Sequence, residues 1–267
     1  MAPSEAQSSA RPILVAEDNE TNQKVFAHQI RILGHNCKIV DNGLVALEEW
    51  RSGHYSLVLT DCHMPEMDGY ELARMIRQEE GQSRHTPIIA VTADALKGTE
   101  ERCLASGMDD YVPKPIQLNE LREKLNKWLP DEQAIEIGKE TSTAEAAMDD
   151  GDVVDASALK EVLGIEDQEL LIDFYTDFLR TGEESVSAVR AAYDSHQGDV
   201  VGALAHRLKS SARTIGAHAL ADCCLALEQA GKSGDWPSID KHIAELPNHF
   251  IGVQKWIKDF SGHMTER

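Results

Sequence analysis

Two patterns of apolar residues divide this chain and limit what each part can fold into. Between residue 12 and about residue 129, five short apolar runs alternate with longer amphipathic stretches. This alternation is typical of an α/β domain built on a parallel sheet, and the nearly unbroken first, third and fourth runs fit strands covered on both faces. We therefore predict five strands, each followed by a helix, at residues 13–16, 37–40, 57–60, 88–92 and 110–112.

From Asp155 onward the pattern changes, and apolar residues recur at spacings of three and four. That spacing indicates helices with one apolar face, and the absence of strand-like alternation favours an all-α bundle. We predict helices near residues 155–163, 168–193, 199–215, 217–231 and 236–260.

The segment between the two patterns, residues 130–153, is rich in acidic residues, Ser, Thr and Ala. Such a composition cannot bury a core and predicts a flexible linker. The polar residues 1–11 are expected to form a disordered leader. The predicted domains are therefore residues 12–129 and 154–260.

Charge and cysteine content narrow the class of protein. Acidic residues outnumber basic ones 46 to 26, for a formal net charge of −20, which argues against a nucleic-acid footprint. The five cysteines have no metal-ligand spacing and are odd in number, so a reducing cytoplasm fits best. The adjacent Cys223 and Cys224 are expected to flank the core, and no apolar run approaches the roughly 20 residues of a membrane span.

Polar and charged side chains follow the predicted strands of the first domain. Glu17 and Asp18 end the first strand, Asp61 ends the third, Thr92 ends the fourth and Lys114 follows the fifth. In a doubly wound sheet these strand ends line one crevice, where ligands bind. We therefore expect the five side chains to converge.

The chemistry of this set points to phosphoryl transfer. Three carboxylates repel one another, and a hard divalent cation is their natural counter-charge. Mg²⁺ suits the set because it takes a few carboxylate oxygens and keeps waters that a phosphoryl group can replace. A carboxylate can accept a phosphoryl group, and a metal, an ammonium and a hydroxyl can neutralise and position it.

Four segments of the first domain closely resemble a response-regulator receiver domain, namely VAEDN (15–19), LVLTDCHMPEMDGYE (57–71), VTA (91–93) and YVPKP (111–115). The resemblance implies a flavodoxin-like fold with a five-stranded parallel sheet of order 2-1-3-4-5. It also implies that Asp61 is the phosphorylated residue and that Lys114 precedes a cis proline bond. Asp68 and Gly69 are expected to form the turn and cap before the third helix.

The same resemblance assigns roles around Asp61. It implies a Mg²⁺ ion held by Glu17, Asp18, Asp61 and the backbone carbonyl of His63. It further implies that Lys114 pairs with the phosphoryl oxygens and that Thr92 donates a hydrogen bond to one of them. Tyr111 is implied to be the aromatic residue whose rotamer reports phosphorylation.

One histidine of the second domain has a setting suited to chemistry. In AHRLKSSARTIGA (205–217), at about 100° per residue, His206 projects roughly 160° from the apolar face and should reach solvent. Lys209 and Arg213 lie on its side of the helix and can offset the charge of a phosphoryl group. A neutral imidazole is nucleophilic at cytoplasmic pH.

This arrangement resembles a histidine-phosphotransfer (HPt) domain, whose pattern of histidine, x-x-lysine and a downstream glycine is matched by His206, Lys209 and Gly216. The resemblance covers roughly residues 155–250 and implies an all-α four-helix bundle with His206 phosphorylated. The chain departs from the family at Ser210, where glycine is common.

Together the two resemblances imply a two-component phosphorelay. A histidine kinase, in cis or in trans, would phosphorylate Asp61, and His206 would pass the phosphoryl group to a downstream response regulator. The chain has no G-x-G element of the kinase ATP lid and no DNA-reading motif, so we expect neither a complete sensor kinase nor a transcription factor. Either the C-terminal part of a hybrid kinase or a freestanding relay protein fits.

Two other functions compete with the relay. The first is a Mg²⁺-dependent phosphohydrolase with Asp61 as nucleophile, although Asp61-Cys62-His63 lacks the second carboxylate of a D-x-D pair. The second is a degenerate receiver that serves only as a docking scaffold, against which the complete residue set argues.

Overall fold

A computed structural model describes residues 11–81, 84–93, 98–129 and 153–265, with side chains up to residue 262. These residues form two compact units. The predicted leader and linker lie outside the described residues except for Arg11 and Val153, so the domain bounds remain predictions.

The first unit is built on a five-stranded parallel sheet whose strand order is β2-β1-β3-β4-β5, which confirms the predicted fold class. The strands are β1 (Ile13–Ala16), β2 (Cys37–Val40), β3 (Leu57–Asp61), β4 (Ile88–Thr92) and β5 (Asp110–Pro113). Five helices connect or follow them: α1 (Glu20–Ile32), α2 (Gly43–Arg51), α3 (Gly69–Glu80), α4 (Thr99–Ala105) and α5 (Leu118–Trp128).

Both faces of the sheet are covered. Along β1, Ile13 and Val15 pack with Phe26 and Ile30 of α1 and with residues of α5. Leu14 and Ala16 point the other way and pack with residues of α2, α3 and α4. Since every residue of β1, β3 and β4 is buried, the unbroken apolar runs of the sequence are explained by burial on two sides.

The second unit is helical, in agreement with the predicted bundle. Its helices are α6 (Ala156–Leu163), α7 (Gln168–Asp194), α8 (Gly198–Thr214), α9 (His218–Ser233) and α10 (Trp236–Thr265). The carboxylates of Asp155 and Asp167 cap α6 and α7 by accepting hydrogen bonds from backbone N–H groups of the first turn. Gly164 and Gly234, both left-handed, follow α6 and α9.

The bundle core comes from one face of each helix. The predicted apolar face of α8 is confirmed, because Val201, Ala205, Leu208 and Ala212 are fully buried. Tyr175 and Phe178 of α7 are also fully buried, and Tyr175 meets Trp256 of α10 edge to face with ring centroids 5.5 Å apart. No helix in the described part of the chain is long and apolar enough to cross a membrane.

Helices α8 and α9 approach closely because glycines face each other. A Cβ atom on Gly231 of α9 would lie 2.5 Å from the carbonyl oxygen of Gly198 and 2.7 Å from Cα of Gly202 on α8. Backbone atoms cannot yield as a flexible side chain can. The distance between the two helices is therefore set by the glycines, which place no side chain between the two backbones.

Substitution of Gly231 by Ala should destabilise the helical unit by about 1–3 kcal/mol, the usual cost of overpacking a tight contact. Hydrogen exchange of peptides from α8 and α9 in the full chain would measure the loss of protection. Gly252→Ala on α10 is the matched control, since its Cβ would meet only a methyl group of Val153 at 3.4 Å. Because Ala has a better helix propensity than Gly, the free energy of unfolding of that variant should be unchanged or higher by about 0.5–1 kcal/mol. Unaltered protection in Gly231→Ala would contradict this account of the contact.

Candidate functional site

Acidic side chains converge at the carboxyl edge of the sheet. Glu17 and Asp18 directly follow β1, and Asp61 is the last residue of β3. Parallel pairing of Ala16 with Thr60 places these ends side by side. Carboxylate oxygens of all three residues lie within 4.8 Å of one another, and all three are buried. For these three carboxylates the predicted convergence is observed.

Lys114 joins two of these carboxylates. Its ammonium Nζ donates hydrogen bonds of 2.6 Å to Glu17 Oε2 and 2.6 Å to Asp61 Oδ2. Its own backbone N–H donates to the carbonyl of Thr92, at 2.7 Å, which attaches the segment after β5 to the end of β4. The bond from Lys114 to Pro115 is cis, as the resemblance implied.

The electrostatics of the edge reflect burial. Burial raises the pKa of Glu17 to about 7, and Lys114 opposes that rise while Asp61 and Asp18 add to it. Burial by itself would lower the pKa of Lys114, but the charges of Asp61 and Glu17 raise it well above its usual value. When all are ionised, the three carboxylates and one ammonium carry two net negative charges.

Backbone contacts fix the orientation of Asp61. Its Oδ1 accepts a hydrogen bond of 3.1 Å from the backbone N–H of His63, while Oδ2 faces Lys114. Gly69, which begins α3, packs so closely that a Cβ there would lie 2.2 Å from the carbonyl oxygen of Asp61. The cap predicted at Asp68 is confirmed, since its carboxylate accepts from the N–H of Glu71 at 2.7 Å.

The remaining receiver residues lie nearby. Thr92 is buried at the end of β4. Tyr111 is half-buried on β5 and its hydroxyl donates to Glu100 of α4 at 3.4 Å, a partner that the sequence analysis missed. The roles of Thr92, Tyr111 and the His63 carbonyl stay predictions.

The donor set of the edge can hold a metal ion. Glu17, Asp18 and Asp61 offer only oxygen ligands, and repulsion from Asp61 and Asp18 adds to the effect of burial in raising the pKa of Glu17. A hard divalent cation would relieve that repulsion and prefers such ligands. The residues present therefore fit a cation of this class.

The second site is centred on His206 of α8. Its ring nitrogen Nδ1 lies 2.9 Å from Oε1 of Glu228 on α9. Because an ionised carboxylate can only accept, Nδ1 of a neutral ring must carry the proton and Nε2 the lone pair. The ring is not part of the apolar core, but only 13% of the side chain is exposed, less than the sequence suggested.

Glu228 also binds two lysines. Its Oε2 accepts from Lys209 at 2.5 Å and its Oε1 from Lys232 at 2.5 Å. Burial would raise the pKa of Glu228, but its contacts with His206, Lys209 and Lys232 hold it well below the usual value. One acid is thus shared among three groups that carry or can carry positive charge.

Two predicted phosphate-stabilising residues have different positions. Lys209 is buried, with 2% exposure, and its Nζ lies 3.5 Å from His206 Nδ1. Arg213 is half-exposed further along α8. Lys209 therefore lies beside the ring and shares Glu228 with it, but it is buried and not on a solvent-facing surface. The phosphate-stabilising roles of Lys209 and Arg213 stay predictions.

Glu228 and Lys232 were missed by the sequence analysis. A signal for Glu228 exists, because it occupies an apolar stripe of α9 together with Leu220, Cys224 and Leu227, all buried. A charge on such a stripe requires a partner. Lys232 lies one turn later on the same helix and supplies one.

Known proteins resemble the chain along nearly its full length. The virulence sensor protein BvgS of Bordetella pertussis is 35% identical over 252 residues, which cover 91% of this chain and 20% of that protein. The sensor histidine kinase RcsC of Escherichia coli K12 is 41% identical over 116 residues, or 43% of this chain and 12% of RcsC. The chain thus spans about a fifth or less of the length of these relatives.

A solved structure also matches the first unit. The receiver domain of the sensor histidine kinase PA1611 from Pseudomonas aeruginosa PAO1, crystallised with a magnesium ion in its active site cleft, is 40% identical. The match covers 46% of this chain and 99% of that one, with a TM-score of 0.43.

Family models match the two units separately. Residues 13–126 match the response regulator receiver domain, and residues 173–256 match the Hpt domain. The receiver model includes the acidic edge with Lys114, and the Hpt model includes His206 with Glu228. The chain therefore belongs to the proteins that carry a response regulator receiver domain followed by an Hpt domain.

Proposed function

We propose that the chain is a phosphorelay module in which Asp61 and His206 carry the phosphoryl group in turn. The observation that supports this most directly is the buried triad of Glu17, Asp61 and Lys114, joined by two hydrogen bonds of 2.6 Å. A buried acid cluster with an ammonium on the acceptor carboxylate has the charges that phosphoryl transfer requires. The upstream donor is a histidine kinase and the downstream acceptor is a response regulator, as the relatives' names suggest.

In the first step a carboxylate oxygen of Asp61 attacks the phosphorus of a phosphohistidine on the kinase. A P–O bond forms, the P–N bond breaks, and the imidazole leaves with the electron pair and takes up a proton. The ammonium of Lys114, which donates to both Asp61 Oδ2 and Glu17 Oε2, is positioned to pair with the phosphoryl oxygens. The N–H of His63 keeps the other carboxylate oxygen in place.

The metal ion that we propose for this site is Mg²⁺, which Glu17, Asp18, Asp61 and the backbone carbonyl of His63 would hold. When bound, Mg²⁺ supplies positive charge to the transferring phosphoryl oxygens. Thr92 donates to one of those oxygens, and Tyr111 changes its rotamer in response to phosphorylation. We place the relay in the cytoplasm, which agrees with five free cysteines.

In the second step Nε2 of His206 attacks the phosphorus of the aspartyl phosphate. A P–N bond forms, the P–O bond breaks and the carboxylate of Asp61 leaves. Glu228 holds the proton of Nδ1, so the lone pair is on Nε2 and the positive charge that develops on the ring faces a carboxylate. Lys209 and Lys232 balance Glu228, and Arg213 can offset charge nearer the surface.

Asp61→Asn should abolish phosphorylation of the receiver because the amide is a poor nucleophile. The full chain would be incubated with Mg²⁺ and acetyl phosphate, and intact mass would report a labile gain. Asp41→Asn, which changes an exposed carboxyl of the same domain, should label like the wild type. Continued labelling of Asp61→Asn would remove Asp61 as the acceptor, and sustained turnover of a generic phosphomonoester would favour a hydrolase.

His206→Gln should remove label from the Hpt domain while the receiver still labels. The lost label should be stable to alkali and labile to acid, as phosphohistidine is. His218→Gln alters an exposed histidine of the next helix and should leave the label intact. Acid-labile label in the Hpt domain of His206→Gln would contradict the assignment.

Glu228→Gln should slow phosphoryl transfer to His206 by about 10–100-fold, the range seen when the carboxylate partner of a metal-binding histidine is removed. Quench-flow transfer from a phosphorylated receiver would measure the rate. Long-range ¹H–¹⁵N NMR should show Nδ1–H as the main neutral tautomer of His206 in the wild type and a mixture in the variant. Asp222→Asn, an exposed acid on α9, is the control. An unchanged tautomer and rate would show that Glu228 does not position the ring.

A further inference from the structure

A third cluster of side chains combines three kinds of metal ligand. Cys223 lies on α9, and Glu245 and His249 lie on α10. The sulfur, a carboxylate oxygen and a ring nitrogen all lie within 4.8 Å of one another. The cluster belongs to neither phosphorylation site, and no spacing in the sequence reveals it, because its members come from two helices.

Helix geometry accounts for the convergence. Glu245 and His249 are four residues apart and therefore share one face of α10. His242 lies on the same face, and its Nδ1 is 3.0 Å from Oε2 of Glu245. The sulfur of Cys223 lies against this face, 3.5 Å from the carbonyl oxygen of His242. The carboxylate is thus oriented by a histidine, as ligating carboxylates in metal sites commonly are by a neighbouring group.

We propose that Cys223, Glu245 and His249 bind a transition-metal ion of the Zn²⁺ class. A thiolate, an imidazole and a carboxylate together are typical Zn²⁺ ligands, whereas Mg²⁺ and Ca²⁺ require oxygen. Three protein ligands leave one tetrahedral position for water. The proposal is independent of the phosphorelay, because it uses none of its residues.

Access and proton balance are consistent with such a site. Cys223 is 5% exposed, but the side chain of Glu245 is 44% exposed, so the ion has a path from solvent. Binding of Zn²⁺ would form the S–Zn bond and release the thiol proton to water.

Such an ion would join α9 to α10. Helix α9 also carries Glu228, the residue that orients His206. The ion would stabilise the helix on which that orientation depends. Zn²⁺ binding should therefore raise the unfolding temperature of the Hpt domain.

Cobalt(II) is the probe that tests the site, since its bond to a thiolate gives a charge-transfer absorption that carboxylate binding does not. The reduced, metal-free full chain would be titrated with Co²⁺ in excess Mg²⁺, which occupies the acidic edge of the receiver. We expect one equivalent of Co²⁺ to give the thiolate band and Zn²⁺ to remove it. No thiolate band in the wild type would overturn the proposal.

Variants assign the ligands. Cys223→Ala should lose the band. The side chains of His249 and Glu245 are half-exposed, and His249→Ala and Glu245→Gln should each weaken Co²⁺ binding by at least about 10–100-fold, the effect of losing an outer-shell partner. Cys224→Ala is the control, because its side chain points about 100° away on the same helix. Circular dichroism would verify folding of each variant. A band that survives in Cys223→Ala, or wild-type affinity in His249→Ala, would also overturn the proposal.

Discussion

The ammonium of Lys114, placed between Glu17 and Asp61, is the interaction on which the receiver site depends. It joins segments that follow three strands, since Glu17 comes after β1, Asp61 ends β3 and Lys114 comes after β5. A buried carboxylate without a partner would take up a proton, and a neutral acid would be a poor acceptor of a phosphoryl group. One ammonium cannot balance three acids. The same geometry that joins Lys114 to Asp61 therefore leaves an excess of negative charge, which a hard divalent cation would balance.

The Hpt site uses the opposite charge arrangement. There a single carboxylate, Glu228, is surrounded by two lysines and an imidazole. In the proposed relay a phosphoryl group on His206 would add negative charge, which Lys209 and Lys232 can balance without a metal ion. The acids of the receiver edge are in excess and would be balanced by a bound cation, whereas the Hpt domain has its cations in its own side chains. This difference suits a metal-assisted acceptor and a carrier that holds the group without hydrolysing it.

The parts of the fold that depend on burial could be predicted closely from the sequence. Strand β3 was predicted to end at Thr60 and ends at Asp61, because Asp61 still pairs with Val91 of β4. Convergence at the sheet edge was also predictable, since parallel strands all end there. The surroundings of Lys209 could not be predicted, because a helical wheel locates a residue on its own helix but does not say which other helix covers it. Lys209 looked like a solvent-facing residue on α8, and α9 covers it with Glu228.

The rotation of α9 about its own axis links these observations. Successive residues of a helix differ by about 100°, so Cys223 can face α10 while Cys224 faces the core. Glu228 lies four residues after Cys224, on the same side, and so reaches His206 and Lys209. Gly231, three residues further on, meets Gly202 of α8 without intervening side chains. A small rotation of α9 would move all three contacts together, so the close approach of the two glycines also holds Glu228 against the ring of His206.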